Sequence, residues 1–208
     1  MLREMLDACP LIAILRGLAP SEAIATGRVL VEEGIRIIEV PLNSPEPFNS
    51  IRLLAETFGD DALIGAGTVL RPDQCVALAS TGARLMVAPN FDARTVQAAQ
   101  ALNLFTVPGV GTVSEAFAAI EAGADALKLF PAETLGPVGL KAWRAVLPPE
   151  VRLLPVGGVT PGWLEAWHRA GAGGFGVGSA LYRPGIELDE LRSRAKAFVG
   201  KAQELGRK

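Results

Sequence analysis

Short apolar runs alternate along the chain with longer stretches in which apolar positions recur every three or four residues. The short runs are LIAIL, IRIIEV, ALIGAGTV, RLMVAP, LFTVP, ALKLF, RLLPVG and GFGVG. Their apolar, often β-branched content and their Gly or Pro borders predict strands. PSEAIATGRVLVEEG, PDQCVALASTG, DARTVQAAQALN, TVSEAFAAIEAG, GWLEAWHRAG and LDELRSRAKAFVGKAQEL have helical periodicity instead. Start and stop residues agree with it: Pro20-Ser21 to Gly34, Pro72-Asp73 to Gly82, and Ser114 to Gly123. The strand signal returns about every 23 residues, the length of one strand, one helix and two short loops.

Regular alternation of strand and helix implies a parallel sheet covered by helices, either open or closed on itself. Eight units in succession favour closure, because an open sheet of eight parallel strands leaves two edges. No Gly-rich dinucleotide turn follows the first strand, where LIAILRGLAP stands instead, which removes the main marker of a nucleotide-binding open sheet. The prediction is an α/β (β/α)8 TIM barrel occupying residues 1–208 as one domain, with a short helix at 1–8 closing the bottom.

Composition narrows the function classes. Of 208 residues 50% are apolar and 20% charged, enough to bury a core and too hydrophobic for disorder. Twenty basic and 22 acidic residues leave a net charge of −2, so no nucleic acid or anionic membrane is expected as partner. MLREMLDACP lacks signal-peptide organisation and no run approaches 18 apolar residues, so a cytoplasmic enzyme acting on a small molecule is expected. Cys9 and Cys75 are isolated, without the spacing of a disulfide framework or zinc site. No metal and no cofactor are expected.

Strand side chains alternate between faces, so inward and outward positions follow from parity. In IRIIEVPLN, Ile38, Val40 and Leu42 form the helix-facing set, which turns Glu39, Pro41 and Asn43 inward. In ALKLFP, Leu127 and Leu129 face out while Lys128 and Phe130 face in. Arg16, Thr68, Pro89, Val156 with Gly157 and Gly158, and Gly178 with Ser179 fall at carboxyl ends of strands, where barrel enzymes carry their chemistry. A lysine at a strand end is usually solvated. One confined among Leu127, Leu129 and Phe130 is instead pushed toward its neutral, nucleophilic form. Glu39 reads either as an ion-pair partner or as a proton carrier across the cavity. Arg16 suits a carboxylate, or pairs with Glu39. The two glycine turns after strands seven and eight occupy the usual barrel phosphate position. His168, in a helical stretch away from any strand end, reads as a packing or surface residue.

PLIAILRG, EVPLNSP, LIGAGTVL, the VPG of strand five, ALKLFPAE, VGGVTP and GVGSALY occur in order from about residue 10 to residue 185. Together they resemble the 2-keto-3-deoxy-6-phosphogluconate/4-hydroxy-2-oxoglutarate aldolase family. EVPLNSP and VGGVTP are most similar to its galactonate branch; the gluconate branch typically has Arg at the position of Asn43 and Thr at that of Val156. The resemblance implies a metal-independent class I aldolase cleaving 2-dehydro-3-deoxy-6-phosphogalactonate to pyruvate and glyceraldehyde 3-phosphate. It implies a Schiff base on Lys128, Glu39 as acid/base, and Arg16 and Thr68 around the substrate carboxylate. Pro89 and Phe130 become walls of the pyruvate pocket, and Gly157, Gly158 and Ser179 meet the phosphate. A homotrimer is also implied. The same chemistry on the gluconate epimer or on 4-hydroxy-2-oxoglutarate stays open. So do a non-covalent phosphosugar isomerase or synthase with Glu39 as base, and a phosphometabolite-binding barrel without turnover.

Overall fold

The computed structural model describes residues 1–205; the last three residues of the expected 1–208 domain lie outside the described residues. The strands are β1 (Leu11–Ile14), β2 (Ile37–Pro41), β3 (Leu63–Gly67), β4 (Leu85–Val87), β5 (Phe105–Val107), β6 (Gly109–Val110), β7 (Leu127–Leu129), β8 (Leu153–Pro155) and β9 (Phe175–Val177). Helix α1 (Leu2–Ala8) precedes them. Between them run α2 (Pro20–Glu32), α3 (Pro47–Phe58), α4 (Pro72–Ala79), α5 (Ala93–Ala101), α6 (Val113–Glu121), α7 (Ala132–Arg144) and α8 (Leu164–Arg169), and α9 (Leu188–Leu205) closes the described chain.

Every ladder is parallel. Six strands pair in the order β5-β4-β3-β2-β1-β9 and three in the order β6-β7-β8, so the fold is α/β with a curled parallel sheet. The break between β5 and β6 falls at Pro108, which has no N–H to donate. Eight expected strands therefore become nine segments, because Gly109–Val110 forms a further short strand just beyond the expected LFTVP run. Pro108 still serves the ladder with its carbonyl, which accepts from Lys128 N at 2.9 Å. On the other side, Val156 and Gly176 form a parallel bridge between the end of β8 and β9.

Helix boundaries follow local chemistry. Proline opens α2, α3 and α4, where its fixed φ and missing donor cost nothing. Asp92 caps α5 by accepting from Arg94 N and Thr95 N. At α6 the cap is Thr112 rather than the expected Ser114: Thr112 Oγ1 accepts from Glu115 N, and Glu115 Oε2 accepts from Thr112 N. That reciprocal pair satisfies donors Ser114 cannot reach from inside the first turn.

The parity expectation holds in the two apolar layers. Leu11, Ala13, Ile38, Val40, Leu127 and Leu129 belong to the layer between sheet and helices. Ile12, Ile37, Leu63, Leu85, Val87, Val107 and Leu154 form the inner layer, capped by Leu2 and Leu6 of α1. The expected N-terminal helix thus closes the amino-terminal end of the strands with two fully apolar contacts. Leu63 is completely buried in this inner layer. Its replacement by Ala removes three heavy atoms where neighbours are held by strand backbone, and is expected to lower unfolding free energy by about 2–5 kcal/mol. Urea denaturation checks this, with Val138→Ala as control: Val138 is 85% exposed and should shift stability by less than about 0.5 kcal/mol.

Candidate active site

Above the apolar inner layer, two ionisable side chains face each other. Glu39 is the third residue of β2 and Lys128 the second of β7; both are buried, at 1% and 5% exposure. Lys128 Nζ lies 4.0 Å from Glu39 Oε1, and Glu39 Oε2 is buried without a hydrogen-bond partner. The pair lines a void of about 10 Å³ together with Ile12, Ile14, Val87, Val107, Leu154, Val156 and Gly176. Burial dominates the electrostatics. It raises the Glu39 pKa against opposing effects of Lys128 and Arg16, and it lowers that of Lys128 against the opposing pull of Glu39. Both shifts point toward the uncharged forms, as expected when desolvation outweighs one distant partner.

Room for this carboxyl comes from β3. Glu39 pairs in register with Gly65, and Gly67 lies two residues further along the same face. A Cβ on Gly67 would overlap Glu39 Oε2, so the Gly-Ala-Gly run of β3 acts as a recess for the acid.

A cavity of about 880 Å³ opens over this void and shares Ile14, Val156 and Gly176 with it. Arg16, Phe130, Gly157, Gly158, Gly178 and Ser179 line it. Phe130 is 38% exposed, and its ring centroid is 5.2 Å from Lys128 Nζ, so the ring links cavity and amine. Gly157 and Gly158 have φ of 112° and 61°, a left-handed pair that residues with a Cβ rarely adopt.

Arg16 is exposed and donates from Nη1 to Asn43 Oδ1 at 2.8 Å; no ion pair joins it to Glu39 among the described residues. Next to this contact, Gly17 N donates to Ser44 Oγ at 2.9 Å. Two consecutive residues after β1 are thus held by two consecutive residues after β2. Thr68 and Pro89 stand just past β3 and β4, as expected, but neither lines the cavity or the void. Thr68 has φ of 57°, a strained value for a β-branched residue. His168 lies in α8 against the opposite end of the strands, near Leu6 and Arg152, away from the candidate site.

Several cavity residues were not anticipated: Thr160, Glu133, Tyr182, Arg183 and Pro184. The signal for the last three was their position directly after GVGSA, on the loop leaving the final strand. Burial pushes the Tyr182 pKa up to about 12, so its hydroxyl stays protonated. Among the described residues no group of three or more His, Cys, Asp or Glu could hold a metal ion. No described helix is long and apolar enough to cross a membrane.

The arrangement matches known proteins. A 2-dehydro-3-deoxy-6-phosphogalactonate aldolase of Escherichia coli (strain K12) is 47% identical over 190 residues, covering 91% of this chain and 93% of that protein. A solved structure described as native KDPGal superposes with a TM-score of 0.94 at 45% identity, over 96% of this chain and 97% of the other. A KDPG aldolase from Legionella pneumophila, with pyruvate captured at low pH as a covalent carbinolamine intermediate, gives a TM-score of 0.82 at 28% identity, over 99% and 98%. The family model described as KDPG and KHG aldolase matches residues 2–194. With one buried amine, one buried carboxyl and an open cavity above them in a chain so matched, this protein belongs to the KDPG and KHG aldolase family.

Proposed function

We propose that this chain is a class I aldolase that cleaves 2-dehydro-3-deoxy-6-phosphogalactonate to pyruvate and glyceraldehyde 3-phosphate. The observation that carries the reading is the buried Lys128 amine, with its pKa lowered, opposite the buried Glu39 carboxyl, with its pKa raised. The 47% identity to the Escherichia coli galactonate enzyme supports the choice of epimer. The carbinolamine trapped in the Legionella relative supports the covalent route. The curled sheet is taken to close as a single (β/α)8 barrel, β5 and β6 acting as one strand; the Val156–Gly176 bridge supports that closure. A homotrimer, implied by the resemblance, and a cytoplasmic location belong to the same reading.

In this mechanism the neutral Lys128 amine attacks the C2 ketone. A neutral Glu39 gives its proton to the departing hydroxyl as the carbinolamine loses water. The resulting iminium accepts the electron pair of the C3–C4 bond when the C4 hydroxyl is deprotonated, releasing glyceraldehyde 3-phosphate. Protonation of the enamine at C3 and hydrolysis then return pyruvate and the free amine. Arg16, steered by Asn43, takes the substrate carboxylate and Phe130 forms a wall; Thr68 and Pro89, which the resemblance also assigns to this pocket, line neither the cavity nor the void. Gly157, Gly158, Gly178 and Ser179 hold the phosphate, and Asn43 and Val156 bear on the epimer.

Three measurements bear on this reading. Borohydride reduction with pyruvate is expected to add a reduced pyruvyl group to the peptide carrying Lys128; an unmodified peptide would point to a non-covalent isomerase or synthase. Lys128→Met is expected to lose more than about a thousandfold in kcat, about 4 kcal/mol. In a coupled assay of both epimers, the galactonate substrate should show the higher kcat/KM, and equal values would overturn the epimer choice.

The buried pair also has a stability signature. Glu39, with its folded-state pKa raised, costs nothing below the ordinary 4.5 and removes stability as pH rises from there. Lys128, with its pKa lowered, costs nothing above 10.5 and removes stability as pH falls from there. The double variant Glu39→Leu/Lys128→Met is therefore expected to be inactive yet more stable by about 1–4 kcal/mol near neutral pH. Its advantage should shrink below 4.5 and above 10.5. Urea unfolding across pH measures it, and no gain at pH 7 would show that burying the pair costs no more than burying its apolar replacements.

A further inference from the structure

The wall of the large cavity carries a cation that the chemistry at Lys128 does not use. Arg183, in the loop after β9, lines the cavity along with the Gly157–Gly158 and Gly178–Ser179 turns. Its Nη2 lies 3.1 and 3.4 Å from the two carboxylate oxygens of Glu190. The same carboxylate accepts from Arg194 Nη2 at 2.5 Å, and Arg194 Nη1 donates to the Ser179 carbonyl at 3.3 Å. One carboxylate thus faces two guanidiniums, and the cluster carries one positive charge in excess.

The two arginines are held differently. Arg194 is 30% exposed and anchored at both ends, by Glu190 and by the Ser179 carbonyl. Arg183 is 62% exposed, and among the described residues its guanidinium bonds to Glu190 alone. An exposed pair of this kind contributes little to stability, so Arg183 leaves Glu190 at small cost while Arg194 retains the carboxylate. There is also a local need for that charge. Glu133 lines the same cavity against Gly158, where a Cβ would come 2.7 Å from its Cγ. A phosphate on the glycine turns would meet this acid, and Arg183 is a cation lining the same cavity beside those turns.

We propose that Arg183 is a phosphate-binding residue of this site, exchanging Glu190 for the phosphate seated on the two glycine turns. The assignment rests on the reading that the substrate is phosphorylated. An arginine is suited to the exchange because its planar fork fits carboxylate and phosphate oxygens alike.

Steady-state kinetics on the phosphorylated substrate and on its unphosphorylated counterpart test it, with Arg183→Ala, Arg183→Lys and Glu190→Gln. Arg183→Ala is expected to raise KM for the phosphorylated substrate by about 10–100-fold, leaving kcat and the turnover of the unphosphorylated compound within about twofold. Arg183→Lys should recover part of the loss. Glu190→Gln should act in the opposite direction and lower KM, since it releases Arg183 toward the cavity. If Arg183→Ala and Glu190→Gln instead weaken both substrates together, the pair is a structural clip and the proposal is overturned; an unchanged KM in Arg183→Ala overturns it too. Titration with inorganic phosphate, followed by ³¹P line broadening, separates this from the aldolase reading. Should the wild-type protein cleave neither sugar acid, phosphate affinity about tenfold weaker in Arg183→Ala still upholds the assignment, and equal affinity overturns it.

Discussion

The structure depends on keeping an amine and a carboxyl in a place built to exclude water. Below Glu39 and Lys128 lies an inner layer of Ile, Leu and Val sealed by α1. Above them lies the cavity, which shares Ile14, Val156 and Gly176 with the void around the pair. At 4.0 Å, with one carboxyl oxygen unpartnered, the two groups stabilise each other too weakly to compensate for lost hydration. The result is a pair whose pKa values both shift toward the uncharged forms, the direction that suits an amine attacking a ketone and an acid giving up a proton. The apolar burial of the inner layer beneath offsets the cost of holding the two groups there.

Distance from that pair sets how each remaining polar group contributes. Arg16 and Asn43 sit outside the dry zone, where their hydrogen bond is exposed and orients more than it stabilises. The neighbouring Gly17–Ser44 contact is partly buried and fixes the loop that carries Arg16. The loops after β1 and β2 therefore act as one unit, and the position of the guanidinium is set by two elements rather than by the flexibility of a single loop.

Much of this was legible in the sequence because period-2 alternation is a strict geometric rule. Parity alone sent Glu39 and Lys128 inward and Ile38, Val40, Leu127 and Leu129 toward the helices, and the two layers agree. Pattern was less informative where a residue acts through its backbone. Pro108 sits within an apolar run and looks like strand, yet its missing N–H divides the ladder. Helix α7 is not among the stretches read as helical, and Gly136, at φ 65° and ψ 171°, interrupts it just before Pro137. Thr68 and Pro89 were placed correctly at strand ends, but a strand end need not face the opening. Tyr182 and Arg183 were missed because they lie on a loop, where no periodicity says which way a side chain points. Gly67 was also overlooked, since its role is an absence of atoms that only the neighbouring strand makes visible.

That recess ties two distant positions into one heritable unit. Because the carboxyl of residue 39 occupies the volume a Cβ at residue 67 would need, neither site can drift independently. A side chain gained on β3 must be matched by an acid that is shortened or relocated on β2. Covariation between these columns, rather than invariance of either one, is the mark this geometry would leave across diverging descendants of the chain.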